Sequence, residues 1–295
     1  MFSCRKTLLS FILLCCFFSS AQARESDRPP FFKVEYQGKT AYLLGTIHAG
    51  KADFYPLPNM IEKQFALSSH LVIEAIPNPS DAQLVKTLPA LKDKNAAVIR
   101  QYHAYCADKT YFCNALAAVP PWIKAMQIVL LRLQTQGFQP QHGVEYYLLS
   151  KRQGKKLKQL ESSKQQLQLM NSLSAASQWN MLSHAMSASN SEITELFQAW
   201  RTGNLSMIDA ISKKESDTAA GKEFIRVMLW QRNKAMAEKI KRLLQQASAN
   251  DSTLKNNYFV AIGAAHLVGE RSVNDYLTQS GAKITNCWQS TTLCQ

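Results

Sequence analysis

The sequence reads AYLLGTIH over residues 41–48 and YFVAIGAAH over residues 258–266. In each stretch an apolar run, typical of a buried strand, leads into Gly-x-x-His, which ends at His48 and at His266. Ligands of open α/β sheets bind beyond the carboxyl ends of the strands. The glycine of each motif lets a backbone or a ligand come close. If the two strands are neighbours, both imidazoles therefore enter one cleft.

Two carboxylates accompany these histidines in the pattern. Glu74 lies in the apolar run 71–76, and Glu161 ends the predicted strand 156–161. A buried carboxylate needs a partner, which for Glu74 is either a metal ion or an Arg or Lys side chain. Two neutral imidazoles and a carboxylate form a common site for a divalent metal such as Mn, Fe, Co or Zn.

The wider pattern predicts the fold class. Strands are expected at 32–36, 41–47, 258–262 and 283–288, with a turn at 37–39 that makes the first two a hairpin. The middle of the chain is mainly helical, with strongly periodic segments at 122–134 and 223–246 and two further helical blocks around 163–188 and 191–217. This order predicts an α/β protein whose mixed β-sheet core carries a large α-helical insertion at about residues 80–250.

The N-terminus has the features of a secretory signal peptide. Arg5 and Lys6 precede the apolar run 8–18, and the tripeptide AQA at 21–23 fits a cleavage site near Ala23. The apolar run is too short for a membrane anchor, which is the less favoured reading. We therefore expect a signal peptide over 1–23, a flexible leader over 24–30 and a single exported domain over 24–295, periplasmic or secreted.

Four cysteines remain after the predicted cleavage: Cys106, Cys113, Cys287 and Cys294. An even number in an oxidising compartment suggests two disulfides. Three pairings are formally possible, and proximity in the sequence favours Cys106–Cys113 and Cys287–Cys294. A zinc site is less favoured because its usual Cys-x-x-Cys spacing is absent from the sequence.

Composition and charge exclude several classes of protein. The chain has 295 residues, of which 46% are hydrophobic and 19% charged, which is typical of a globular protein. The formal net charge is +13, but the densest basic run, 151–158, has no interleaved aromatic residues for stacking on bases. We expect no nucleic-acid partner and at most weak contact with an anionic membrane surface. The sequence has no His-Glu-x-x-His, no Gly-x-Ser-x-Gly and no phosphate loop.

The residues of the two motifs resemble the TraB/PrgY/GumN family, which is related to the Tiki metalloproteases and more distantly to erythromycin-esterase-like and ChaN-like proteins. The resemblance extends in family order over essentially the whole chain after residue 23. The matching segments are YLLGTIH (42–48), VIE (72–74), GVEYYL (143–148), LE (160–161) with QL (166–167), AWRTG (199–203), QRN (231–233) and VAIGAAHLVG (260–269).

The resemblance implies an EreA/ChaN-like α/β core and divalent-metal-dependent hydrolysis of peptides or envelope proteins. It assigns the metal, expected to be Mn, Co or Zn, to three residues and supporting catalytic roles to three others. The metal residues are His48, Glu74 and His266, and the catalytic residues are Glu161, Arg232 and Asn233.

The implied chemistry gives each of these groups a role. The metal would lower the pKa of a bound water towards about 7 and polarise the scissile carbonyl. Whichever of Glu74 and Glu161 does not bind the metal would act as general base. Arg232 would stabilise the oxyanion or hold a substrate carboxylate; its alternative interpretation is a helix-surface residue. Asn233 is alternatively a local hydrogen-bonding residue.

Two other classes of function use the same cleft differently. A non-catalytic protein of the cell envelope would bind a peptide, a haem or a metal there without turnover. A structural or assembly protein would tolerate replacement of His48 and His266 by polar residues of similar size. Release of new amino termini in proportion to time and metal distinguishes the hydrolase from both.

Overall fold

The computed structural model describes residues 26–76, 78–88, 91, 94–214, 216–246 and 258–294. The predicted signal peptide, residues 1–23, lies outside these described residues. Within the described ranges, no helix combines the length and the apolar character that crossing a membrane requires.

The strands form one six-stranded sheet. In chain order they are β1 (Phe31–Tyr36), β2 (Lys39–Thr46), β3 (His70–Ile73), β4 (Lys156–Gln159), β5 (Tyr258–Gly263) and β6 (Lys283–Asn286). Their order across the sheet is β4-β3-β5-β2-β1-β6. The first four strands in this order run parallel, whereas β1 is antiparallel to β2 and to β6. The predicted α/β class with a mixed sheet is confirmed.

The predicted hairpin between β1 and β2 is present, with Tyr36 opposite Lys39. Its two turn residues, Gln37 and Gly38, both have positive φ angles, of 49° and 73°. A two-residue turn with this backbone matches the right-handed twist of the strands, and glycine adopts it without steric cost. The local sequence therefore fixes the register of this pair.

Most of the α-helices follow β3 and precede β5 in the sequence. In chain order, the α-helices are α1 (Asn59–Leu67), α2 (Asp81–Lys86), α3 (Ala96–Tyr105), α4 (Thr110–Ala115), α5 (Pro121–Thr135), α6 (Val144–Ser150), α7 (Ser163–Asn171), α8 (Ala175–Ser187), α9 (Asn190–Thr202), α10 (Leu205–Ser212), α11 (Ala219–Ile225), α12 (Gln231–Gln246) and α13 (Val273–Gln279). A π-helical turn, Arg226–Trp230, joins α11 to α12.

The helical part is divided more finely than the sequence predicts. The block expected over 163–188 is two helices, because the Ser174 side chain caps the N-terminus of α8. The block expected over 191–217 is interrupted at Gly203, which ends α9 with a left-handed φ of 68°. The helix expected over 223–246 contains the π-helical turn, in which the N–H of Gln231 donates to the carbonyl of Arg226.

Helices cover both faces of the sheet. In β2, the buried side chains of Tyr42 and Leu44 belong to one core, and those of Ala41 and Leu43 to the other, because alternate residues of a strand point to opposite faces. The first core includes α1 and α9, through Phe65 and Trp200 among others. The second packs against α12 and α13, through Met236, Ile240, Leu244, Val273 and Leu277.

The segment that precedes β1 is held against the fold from residue 27 onwards. Arg201 binds the Asp27 carboxylate at 2.9 and 3.1 Å, and the Gly45 N–H donates to the Pro30 carbonyl at 2.7 Å. The indole N–H of Trp288 donates to the Pro29 carbonyl at 2.6 Å. The expectation of a flexible leader is therefore wrong for residues 27–30. Their contacts with residues distant in sequence hold this segment against the folded domain.

Both predicted disulfides are confirmed as cysteine pairs at bonding distance. Cys106–Cys113 joins the end of α3 to α4. Cys287–Cys294 joins the residue after β6 to the C-terminal 3₁₀ turn, and both of its cysteines are fully buried.

We expect the double variant Cys287→Ala/Cys294→Ala to lower the free energy of unfolding by about 2–5 kcal/mol. It removes a cross-link and two sulfurs from the core, and it weakens a turn whose Cys294 carbonyl accepts from Gln64 at 2.8 Å. Cys106→Ala/Cys113→Ala opens a loop of the same length at a less buried place, so its loss should be smaller. Urea unfolding of both variants measures the difference, and equal losses would contradict it.

Candidate active site

The candidate site lies at the carboxyl edge of the four parallel strands. Each of these strands is followed, within three residues, by a residue that the sequence predicts for the site: His48 after β2, Glu74 after β3, Glu161 after β4 and His266 after β5. β3 and β4 are shorter than predicted. Glu74 and Glu161 therefore lie just beyond their strands, rather than within them, and their side chains are free to turn towards the cleft.

Glu74 is the centre of a buried hydrogen-bond network. Its Oε1 accepts from Gln166 Nε2 at 2.8 Å and from Arg232 Nη2, and its Oε2 accepts from the Gly263 N–H at 3.0 Å. Burial alone would raise the pKa of Glu74, but the imidazoles, the guanidinium and this N–H together lower it to about 2. Glu74 is therefore a carboxylate at neutral pH.

Arg232 joins Glu74 to the second carboxylate, Glu161. Its Nη2 donates to both carboxylates, its Nε donates to Glu161 at 3.0 Å, and its Nη1 donates to the Met228 carbonyl at 2.9 Å. Met228 belongs to the π-helical turn, so this irregular turn helps to orient the guanidinium. Arg232 is 8% exposed, and its interpretation as a helix-surface residue is wrong. Glu74 forms an ion pair with Arg232, which is the alternative to metal binding that the sequence left open for this carboxylate.

Asn233 holds His266 in one tautomer. Asn233 Nδ2 donates to the Arg271 carbonyl at 2.8 Å, which leaves its Oδ1 facing His266 Nδ1 at 2.5 Å. An amide oxygen only accepts hydrogen bonds, so Nδ1 carries the hydrogen and Nε2 keeps its lone pair. This Nε2 lies 3.8 Å from Glu74 Oε2. Burial, although opposed by Glu74, lowers the pKa of His266 to about 4, so the ring is neutral at pH 7.

These contacts correct the view of Asn233 as a local hydrogen-bonding residue. We expect Asn233→Ala to leave His266 Nδ1 without its acceptor, so that both tautomers of the ring are populated and the fold loses about 1–3 kcal/mol. The ¹⁵N chemical shifts of the imidazole report the tautomer directly. Asn274→Ala is the matched control, because Asn274 binds the Leu267 carbonyl at 2.9 Å without an observed bond to the ring. An unchanged tautomer in Asn233→Ala would contradict this assignment.

His48 forms the open side of the site, with a side chain that is 73% exposed. Its Nδ1 lies 2.9 Å from Glu145 Oε1, which also accepts from Thr46 Oγ1 at 2.5 Å. Glu145 comes from the first turn of α6, and its carboxylate raises the pKa of His48. Each histidine of the two motifs is thus oriented by a partner at Nδ1, a carboxylate for His48 and an amide for His266.

The glycines of the two motifs have different surroundings, and each is needed for a different reason. A Cβ built on Gly263 would lie 3.3 Å from His266 Cδ2, 3.4 Å from Glu74 Oε2 and 3.9 Å from His48 Nε2. A Cβ on Gly45 would instead meet Pro30 at 2.9 Å and the Cα of Ala264 at 3.1 Å. Gly45 therefore permits close packing of the backbone, whereas Gly263 keeps open the space into which three site residues point.

The atoms around Gly263 that could donate electron pairs are of the kinds that usually bind divalent metals. Two imidazole nitrogens and an ionised carboxylate are a usual set, and the neutral His266 ring presents its Nε2 lone pair. Within the described ranges, however, no group of three or more His, Cys, Asp or Glu side chains is already arranged to hold a metal ion. Glu74 is instead shared between Arg232, Gln166 and the backbone. His48, Glu74 and His266 are the residues that would hold such a metal.

Three further residues contact the predicted site residues without having been predicted from the sequence: Thr46, Glu145 and Gln166. Gln166 donates to Glu74 and, at 3.1 Å, to Glu161, so it bridges the two carboxylates opposite Arg232. All three residues lie in the segments that carry the family resemblance. The position of a polar side chain within each matching segment would have been enough to predict these residues as site candidates.

Comparison with known proteins agrees with the matching segments. The TraB/PrgY/gumN family profile matches residues 30–286. The chain is 24% identical, over 252 residues, to a protein of Shigella flexneri described as uncharacterized protein YbaP, covering 80% of this chain and 87% of that protein. The YbaP protein of Escherichia coli (strain K12) is 24% identical over 251 residues, with the same coverage. No solved structure matches. The chain therefore belongs to the TraB/PrgY/gumN family.

Proposed function

We propose that the protein is an exported, metal-dependent hydrolase that cleaves peptides or envelope proteins. The observation that carries this proposal is the convergence of His48 Nε2, Glu74 Oε2 and the His266 ring on the space in front of Gly263. These three residues would hold a divalent metal, expected to be Mn, Co or Zn. When bound, the metal would supply a water of lowered pKa and polarise the carbonyl of the scissile bond.

The chain's own residues would position the substrate and the metal side chains. Glu145 and Asn233 orient the two histidines, and such outer contacts strengthen metal binding. Arg232 has five N–H groups, and the contacts observed among the described residues use four of them. Its second Nη1 N–H is the donor that remains for an oxyanion or a substrate carboxylate.

Glu161 takes a different role in this proposal from Glu74. Both Glu161 oxygens accept from Arg232 Nε, and Oε1 also accepts from Gln166. A carboxylate engaged in this way holds the guanidinium in place, so we assign Glu161 to positioning Arg232. Glu74 is the carboxylate nearer to the histidines, with Oε2 facing His266.

The setting of the protein is also part of the proposal. Two disulfide pairs favour an oxidising compartment, the periplasm or the outside of the cell. An oxidising compartment is consistent with the predicted removal of residues 1–23. We propose that residues 24–295 form a single domain with an EreA/ChaN-like core.

The first experiment measures the metal content of residues 24–295 after incubation with Mn, Co or Zn, beside the double variant His48→Ala/His266→Ala. We expect about one bound metal ion in the wild type and none in a variant that still folds. A wild type without metal would refute the proposal. Release of new amino termini from a casein digest then tests hydrolysis, and metal binding without turnover would indicate the peptide-, haem- or metal-binding alternative.

A further inference from the structure

A pocket of about 540 Å³ lies beside the candidate active site, between α7 and α12. Glu161 and Arg232 belong both to this pocket and to the network around Glu74. This volume is within the range of about 300–1,000 Å³ that is common for ligand sites, so the pocket can hold part of a bound polypeptide. The active site therefore continues into a second space that the metal chemistry does not use.

The walls of this pocket are largely apolar, and they also carry neutral polar side chains. Gln168 comes from α7, Ser172 from its C-terminal cap, and Gln231 from the start of α12. Amide side chains both donate and accept hydrogen bonds, as do the peptide groups of an extended chain. Such walls can bind a polypeptide backbone whatever its side chains are.

Lys239 is a basic residue of the pocket lining whose ammonium group is available to a ligand. Gln231, Ala235 and Lys239 are four residues apart in α12 and so share one face of the helix. Lys239 Nζ donates to the Leu160 carbonyl at 2.9 Å, and two of its three N–H groups remain for a ligand. The carboxylate that lines the described pocket, Glu161, is already paired with Arg232. Among the described residues, Lys239 therefore has no carboxylate as a hydrogen-bond partner.

We infer that this pocket is a subsite for an extended polypeptide that carries Asp or Glu, with Lys239 selecting the acidic side chain. Lys239 lies seven positions after Arg232 in α12, about 10 Å along the helix axis, which is the length of about three extended residues. The inference rests on the proposed function where it takes this polypeptide to be the substrate. The pairing of Lys239 with an acidic group does not depend on the metal.

The test is fluorescence anisotropy with metal-free protein and two fluorescein-labelled peptides of Gly and Ser. The peptides differ only in a central Glu-Glu or Gln-Gln pair. We expect the Glu peptide to bind about fivefold more tightly to the wild type, and this preference to disappear in Lys239→Met. Lys234→Met is the matched control, because Lys234 is an exposed lysine of α12 outside the pocket lining and its loss changes the net charge equally.

The outcomes separate this inference from the proposed hydrolase. A wild type without preference for the Glu peptide would overturn the subsite. Equal loss in Lys239→Met and Lys234→Met would also overturn it, because it would indicate general attraction to a basic protein. Since no metal is present, failure of the metal experiment leaves this result standing, and the reverse also holds.

Discussion

Replacing Arg232 by methionine should lower the free energy of unfolding by about 3–5 kcal/mol. Arg232 is the cation shared by the two carboxylates Glu74 and Glu161, and all three side chains are at most 12% exposed. Without the guanidinium, two like charges would remain close together in a poorly solvated place. One of them would have to take up a proton or the site would have to open, and either response costs stability.

Urea unfolding measures this loss, and two further variants show its origin. Arg242→Met removes an exposed arginine from the same helix and should change the stability by about 0.5 kcal/mol or less. The triple variant Glu74→Gln/Glu161→Gln/Arg232→Met removes the charges together and should recover much of the loss. If Arg232→Met were no less stable than Arg242→Met, the buried network would not contribute to the stability of the fold.

The strands were predictable because their signals are local. The apolar runs 41–47 and 258–262 correspond closely to β2 and β5, and the two-residue turn after β1 follows from Gly38. The ends of β3 and β4 were less predictable, because pairing with neighbouring strands decides where a strand stops. Glu74 and Glu161 were consequently placed inside strands that end before them.

The network of the candidate site was harder to predict because its contacts are long-range. The Arg232–Glu74 pair joins side chains 158 positions apart, and the Thr46–Glu145 bond spans 99 positions. By its position alone, Glu145 looks like any other glutamate in the first turn of a helix, where acidic residues are common, and only the family resemblance of residues 143–148 marks it. The two Gly-x-x-His motifs predicted that both histidines follow neighbouring strands, but they did not indicate the side chains that orient the histidines.

Gly263→Ala should weaken divalent-metal binding by about 10–100-fold, while the free energy of unfolding changes by about 1 kcal/mol or less. The new methyl group would lie 3.3 Å from His266 Cδ2 and 3.4 Å from Glu74 Oε2, in the space that a metal would occupy under the proposed function. The backbone of Gly263, at φ −49° and ψ 134°, is open to alanine without strain. Calorimetric titration with Co or Zn, beside urea unfolding, separates the two effects.

Gly45→Ala is the matched change in the other motif, and the opposite result is expected. Its methyl group would press on Pro30 at 2.9 Å and on the Ala264 backbone at 3.1 Å, so the fold should lose about 1–3 kcal/mol while metal affinity changes little. Undiminished metal binding by Gly263→Ala would mean that the cation, if bound, lies elsewhere. Both glycines would then serve packing alone. A selective loss in Gly263→Ala would show that one Gly-x-x-His glycine makes room for a ligand and the other for the chain itself.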